Sequence, residues 1–166
     1  MTGSPKRAFR PFSYLLGLTA AGALMPEPAR SDAIISGPPC IMDGNTLQVG
    51  GAVKDGQCWG GITVRLHGST APELTETCQD SKGVNWACGQ EARVALVQAI
   101  RLNEIACYHL DGEFDDRDVP LATCLSGRND LSLLLVQKGL ARMPTSSDRY
   151  RLEEQAARRR GLGLWR

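Results

Sequence analysis

Six cysteines, two histidines and a few charged residues on patterned segments are what this 166-residue sequence offers for chemistry. An even number of cysteines in a small chain points to disulfides in an oxidising compartment. Cys40, Cys58, Cys78, Cys88, Cys107 and Cys124 include no C-x-x-C pair, and His67 and His109 lie apart from any cysteine cluster, so zinc is not expected. Arg65 sits in an alternating segment, where by itself it reads as a strand arginine facing solvent. Glu73 follows Ala71-Pro72 and by itself reads as a turn cap. His67 is assigned no role. The run Arg158-Arg159-Arg160 reads first as a solvated helix face.

These residues need a frame. Thr46 to Val49 and Ile62 to Leu66 alternate as strands, the second with Ile62, Val64 and Leu66 on one face. Asp43-Gly44 marks a tight turn before the first. Leu74 to Cys88 is polar and irregular, a loop clipped by a disulfide. Gln90 to Leu102 has helical spacing of Ala92, Ala95, Leu96, Ala99 and Ile100. Glu104 to His109 and Leu121 to Leu125 form two strands around an acidic turn, Gly112 to Asp118. A helix follows from Leu131 to Lys138, with Asp130 as N-cap and Gly139 as its stop. A last helix runs from Ser147 to Arg160 and ends at Gly161.

The frame fixes a disulfide set. If Cys107 faces Cys124, the midpoint of the pairing falls between Asp115 and Asp116, inside the expected turn. Cys78–Cys88 clips the polar loop, and Cys40–Cys58 follows by elimination.

The N-terminus reads as an export signal. Lys6, Arg7 and Arg10 precede the apolar run Tyr14 to Met25, which is too short for a typical membrane span. Ser31 and Ala33 provide small residues for a cut after Ala33; a cut after Ala23 and an uncleaved anchor are the alternatives. Two parts result: a signal at 1–33 and a domain at 34–166. Of the 19 basic and 18 acidic residues, the signal holds Lys6, Arg7, Arg10 and Arg30 against Glu27 and Asp32, so the mature part carries a net charge of −1. That is a weak footprint for a binder of phosphate backbones.

Several segments together resemble the staphylococcal-nuclease-like (thermonuclease) family. Met42-Asp43-Gly44-Asn45-Thr46-Leu47 is similar to its first motif, an Asp-Gly-Asp-Thr turn. Val64 to Glu73 is similar to its second, which ends Asp-(Ala or Thr)-Pro-Glu. Gly83-Val84 with Gly89 to Ala92, Leu121-Ala122, Leu135 to Ala141, Tyr150, Glu153 to Arg158 and Gly163 to Trp165 resemble the rest, from Pro38 to Trp165. The resemblance implies an α+β, mainly β fold: a five-stranded OB-type barrel with three helices. It also implies calcium-dependent phosphodiester hydrolysis, with metal Lewis acidity and an arginine clamp.

Carried over position by position, the resemblance puts Arg65 at the first arginine and Glu73 at the glutamate that activates or positions water. Asn45 and Thr70 stand where metal-binding aspartates are expected, and Ala71 supplies a backbone carbonyl. Val119 stands where the second arginine is expected, with Arg117 as a possible substitute, and Asp43 as a possible helper of the metal. Two lost carboxylates lower calcium affinity, because that affinity follows ligand charge. The cofactor is therefore expected to be none or weak calcium. The expectation is an exported, periplasmic or secreted homologue, impaired or non-catalytic, whose cleft binds a nucleic acid, another anionic polymer or a protein. The alternatives are an active calcium-dependent nuclease with a rebuilt metal site, and a purely structural envelope protein. N-terminal sequencing of the protein recovered from the periplasm or medium should start near Ile34; intact Met1 in soluble cytosol would refute the export signal.

Overall fold

The computed structural model describes residues 34–100 and 104–166. The expected signal at 1–33 lies outside the described residues, as do residues 101–103 at the end of the expected first helix. The two alternating segments form strands over their expected spans, β3 (Thr46–Val49) and β6 (Ile62–Leu66). Val64 and Leu66 are buried, as the alternation requires, while Ile62 at the strand's start is 51% exposed.

Nine further strands appear among the described residues. β1 (Ile34–Gly37), β2 (Pro39–Ile41), β9 (Ile105–Phe114), β10 (Pro120–Ser126) and β11 (Asn129–Asp130) join β3 and β6 in one seven-stranded sheet. Its order is β1-β9-β10-β6-β3-β2, with β11 on β10. All neighbours are antiparallel except β10 and β6. Two small ribbons stand apart: β4 (Ala52–Lys54) with β5 (Gln57–Trp59), and β7 (Cys78–Gln79) with β8 (Asn85–Trp86). The first of these was not legible because its three-residue strands are largely exposed and show no apolar alternation.

Three α-helices complete the described part. α1 (Cys88–Ala99) starts two residues before its expected first residue, with the bridged Cys88 as its first residue. α2 (Leu131–Gln137) is capped as expected: Asp130 Oδ1 accepts from the Ser132 and Leu133 N–H groups, and Gly139 takes φ +67° beyond the end. α3 (Arg151–Arg159) starts four residues later than expected. Tyr150 precedes it, buried, with its hydroxyl donating to Asp130 Oδ2 at 2.7 Å. The core between sheet and helices is aliphatic: Leu47, Val64, Leu66, Leu96, Leu131, Leu135 and Val136 are almost fully buried. None of the described helices is long and apolar enough to cross a membrane.

All six cysteines pair as expected: Cys40–Cys58, Cys78–Cys88 and Cys107–Cys124. Cys107 and Cys124 face each other in the β9–β10 register and are fully buried. The sulfurs of Cys78 and Cys88 lie beside Glu76 but are bonded to each other, so they are not metal ligands. Non-reducing peptide mapping should return these three pairs. Under mild reductant without denaturant, Cys107–Cys124 should be the last to be alkylated, because it is out of reach until the sheet opens. Replacing both of its cysteines by alanine should cost about 2–4 kcal/mol of stability, read by denaturant unfolding.

Candidate functional site

The turn at Asp43 is built by its own carboxylate. Oδ1 accepts from the N–H groups of Asn45 at 2.6 Å and Thr46 at 2.7 Å. This turns Asn45 inward, where it is 1% exposed. Gly44 is what lets the turn sit so close: a Cβ there would lie 2.6 Å from that of Ala71 and 2.8 Å from that of Ala92 on α1. The Asn45 amide then closes a reciprocal pair with one residue. Nδ2 donates to the Ala71 carbonyl at 2.8 Å, and Oδ1 accepts from the Ala71 N–H at 2.7 Å. The backbone fixes which end of the amide is which, since a donor must meet the carbonyl and an acceptor the N–H.

β6 carries Arg65 on the face opposite Val64 and Leu66. β10 lies parallel beside it, with Leu121 opposite Arg65, and so brings the β9–β10 turn to the arginine. Asp115 closes that turn. Its Oδ1 accepts from the Val119 and Arg117 N–H groups, both at 2.9 Å, and its Oδ2 faces Arg117 at 3.5 Å and Arg65 at 4.0 Å. Arg65, His67, Thr70, Glu113, Asp115 and Ser147 line a cleft of about 500 Å³. Beyond β6, Thr70 and Arg142 exchange two backbone hydrogen bonds at 2.7 and 2.8 Å, which tie the loop to the chain after α2. His67 Nε2 lies 3.4 Å from Glu113, and Arg149 lies 3.4 Å from His67 Nδ1 while also reaching Thr123 and Asp130.

The anticipated residues are therefore only partly gathered. Asn45 and Ala71 meet directly. Arg65 and Thr70 line one cleft, and Arg117 reaches it through Asp115. Val119 is half-buried and acts through its backbone as the closing residue of the Asp115 turn. Glu73 is exposed and is not among the residues lining the cleft. Its carbonyl lies so close to Gly89 at the start of α1 that any side chain there would collide with it. The sequence reading gave no charge role to Asp115, Glu113 or His67. The signal available was strand parity beside Arg65 and an aspartate four residues before Val119, the spacing of a carboxylate that closes its own turn.

This arrangement offers calcium little ligand charge. The Asn45 amide and the Ala71 carbonyl are neutral and bonded to each other, and Thr70 is exposed and neutral. Asp43 already holds two N–H groups. Calcium sites depend on several oxygen ligands with carboxylate charge among them.

A mainly β sheet with three helices and an arginine-bearing cleft beside two parallel strands is the architecture of a nuclease-like domain of the OB type. The chain belongs to the staphylococcal nuclease family: the family described as Staphylococcal nuclease homologue matches residues 63–166. It is also 27% identical over 158 residues to the succinoglycan biosynthesis protein ExoI of Rhizobium meliloti (strain 1021), spanning 91% of this chain and 75% of that one.

The Val119 N–H holds the Asp115 carboxyl below the ordinary aspartate range; burial opposes this, and the Arg117 N–H, Arg117 and Arg65 add to it. A carboxyl depressed in the folded state stabilises above its unfolded pKa of about 3.9 and loses that contribution as pH falls through the folded value. NMR titration of Asp115 should give a midpoint below about 3.9. Asp115→Asn should remove the part of the acid sensitivity that lies below that pH and loosen the turn around Val119, seen as faster amide exchange there.

Proposed function

We propose that this chain is an exported member of the nuclease family whose phosphodiester-cleaving chemistry is lost or strongly impaired, and whose cleft now holds an anionic ligand or partner through Arg65. The observation that carries this reading is the closed pair between Asn45 and Ala71. The two oxygens that the family would turn to a metal each accept an N–H group of the other residue, and the exchange brings no net charge to attract a cation. The second support is Val119, which offers a backbone N–H where a clamping guanidinium would stand. One such donor is typically worth about 100- to 1,000-fold in rate. Export is supported by three disulfides in a small domain, which suit a periplasmic or secreted setting. The same reading takes five strands of the sheet as the family's closed OB-type barrel.

The cleft keeps Arg65 but sets Asp115 and Glu113 beside it. An anionic group entering there must displace Asp115 from the arginine. That favours a ligand with both polar faces and charge over a bare phosphate backbone, although nucleic acid remains within the class. The retained Arg65 and Glu73 are what support the rival reading, an active nuclease with a rebuilt site.

The mature, oxidised protein should cleave DNA and RNA at near-background rates with calcium. Its melting temperature should be the same in calcium and in a chelator. The triple change Asn45→Asp, Thr70→Asp and Val119→Arg should make the melting temperature rise with calcium and should raise cleavage by about 100-fold or more. Single changes should do little for the rate, because parts of a catalytic unit are non-additive. Glu73→Ala in the triple background should abolish the gain. Efficient calcium-dependent cleavage by the natural protein, stopped by Glu73→Ala, would replace this reading with the active nuclease, with Asp43 or Arg117 as substitutes.

A further inference from the structure

At the C-terminal end of the fold, where α1, α2 and α3 converge, lies a second cleft of about 670 Å³. Lys138, Arg160 and Arg166 line it with a single carboxylate, Glu91, among the lining side chains, and Leu140 and Leu162 contribute apolar wall. Its side-chain charge is therefore +2, whereas the lining of the Arg65 cleft carries one arginine against Glu113 and Asp115. The ion pairs of this end are Arg158–Glu154 at 3.2 Å and Arg166–Glu91 at 3.3 Å, and Lys138 and Arg160 belong to neither.

Cations at helix C-termini commonly serve to cap carbonyl groups. Here the backbone already does that work. The Leu134 and Val136 carbonyls accept from the Lys138 and Gly139 N–H groups, and the Gly139 carbonyl accepts from Leu164. The Ala156, Ala157 and Arg158 carbonyls accept from Arg160, Leu162 and Gly161. Gly139 and Gly163 make this possible, because a Cβ on Gly139 would lie 2.2 Å from the Leu162 carbonyl oxygen and one on Gly163 2.3 Å from that of Gly139. The cationic side chains are thus not needed by the helix ends. They converge on a concave space that holds more positive charge than it neutralises.

We propose that this cleft is a binding site for a phosphate-bearing compound, separate from the Arg65 cleft. A phosphate monoester or diphosphate group supplies the two or more negative charges that balance the cation excess left after Glu91. The guanidinium groups present paired donors to its oxygens. The leucine wall receives the apolar part of the molecule that carries it.

The site has a built-in reporter. The Arg166 guanidinium lies 3.6 Å from the centre of the Trp86 ring, and an anion that draws Arg166 alters that stacking and the indole emission. Inorganic pyrophosphate titrated into the oxidised Trp59→Phe protein should give a saturable emission change that weakens with added salt. Lys138→Gln with Arg160→Gln should weaken binding by about tenfold or more, with an unchanged melting temperature, since both side chains are on the surface. Arg65→Gln should leave binding intact. Long-chain polyphosphate binding more tightly than pyrophosphate would assign the group to a polymer, and equal binding to a small free molecule; both support the site. Absence of a saturable response, an unchanged response in the double variant, or loss of the response in Arg65→Gln would overturn it. Failure of this titration leaves the proposed loss of cleavage standing, because that is read by calcium-dependent activity at the other cleft.

Discussion

A side-chain amide with 1% of its surface exposed must satisfy its hydrogen bonds inside the protein or lose stability for each one it leaves open. Asn45 satisfies two of them on the backbone of a single residue 26 positions away, and the geometry of the neighbourhood follows from that. The turn that delivers Asn45 needs the Asp43 carboxylate to hold it and Gly44 to let it approach Ala71 and Ala92. The loop that receives it is anchored on the far side by the exchange between Thr70 and Arg142. Between these hydrogen-bonded points run residues 65–71, and Arg65 and His67 line the cleft. The pair itself lies behind the cleft, not in its lining.

Charge is distributed unevenly around that frame. The wall contributed by the β9–β10 turn is acidic, and Asp115 both closes the turn and faces Arg65. Arginine predominates at the C-terminal end, where it stacks on tryptophan as well as pairing with carboxylates: Arg158 lies 4.0 Å and Arg142 4.9 Å from the Trp165 ring centre. A near-neutral total therefore conceals two surfaces of opposite sign. Bridging them, Asp130 caps α2 and also receives the Tyr150 hydroxyl. Burial and that hydrogen bond push the Tyr150 phenol well above its ordinary range, so it stays a neutral donor.

Much of this was legible in the residues. Alternation placed β3 and β6, and the Asp130 and Gly139 signals bounded α2, because those elements owe their ends to local side-chain and backbone preferences. The Cys107–Cys124 bridge was legible because a hairpin register is set by its midpoint. The late start of α3 was not: Tyr150, which precedes its first turn, is bonded to Asp130, a partner that no local window contains. In the site, the types at positions 45, 70 and 119 could be read as changed. What those residues do instead could not: that Asn45 would bond to Ala71 and that Val119 would serve Asp115 through its backbone are facts of three-dimensional proximity. The acidic lining of the cleft went unread for the same reason.

The closed amide pair also bears on which substitutions the fold tolerates. A surface charge can be lost and regained with little effect on the rest of a protein, so such changes run in both directions. A buried asparagine that satisfies both backbone groups of another residue behaves differently. Aspartate at position 45 would set a carboxylate oxygen against the Ala71 carbonyl, where Asn45 now donates. The hydrogen bonds of Asn45 thus tie position 45 to the backbone at position 71, and neither can be altered without the other.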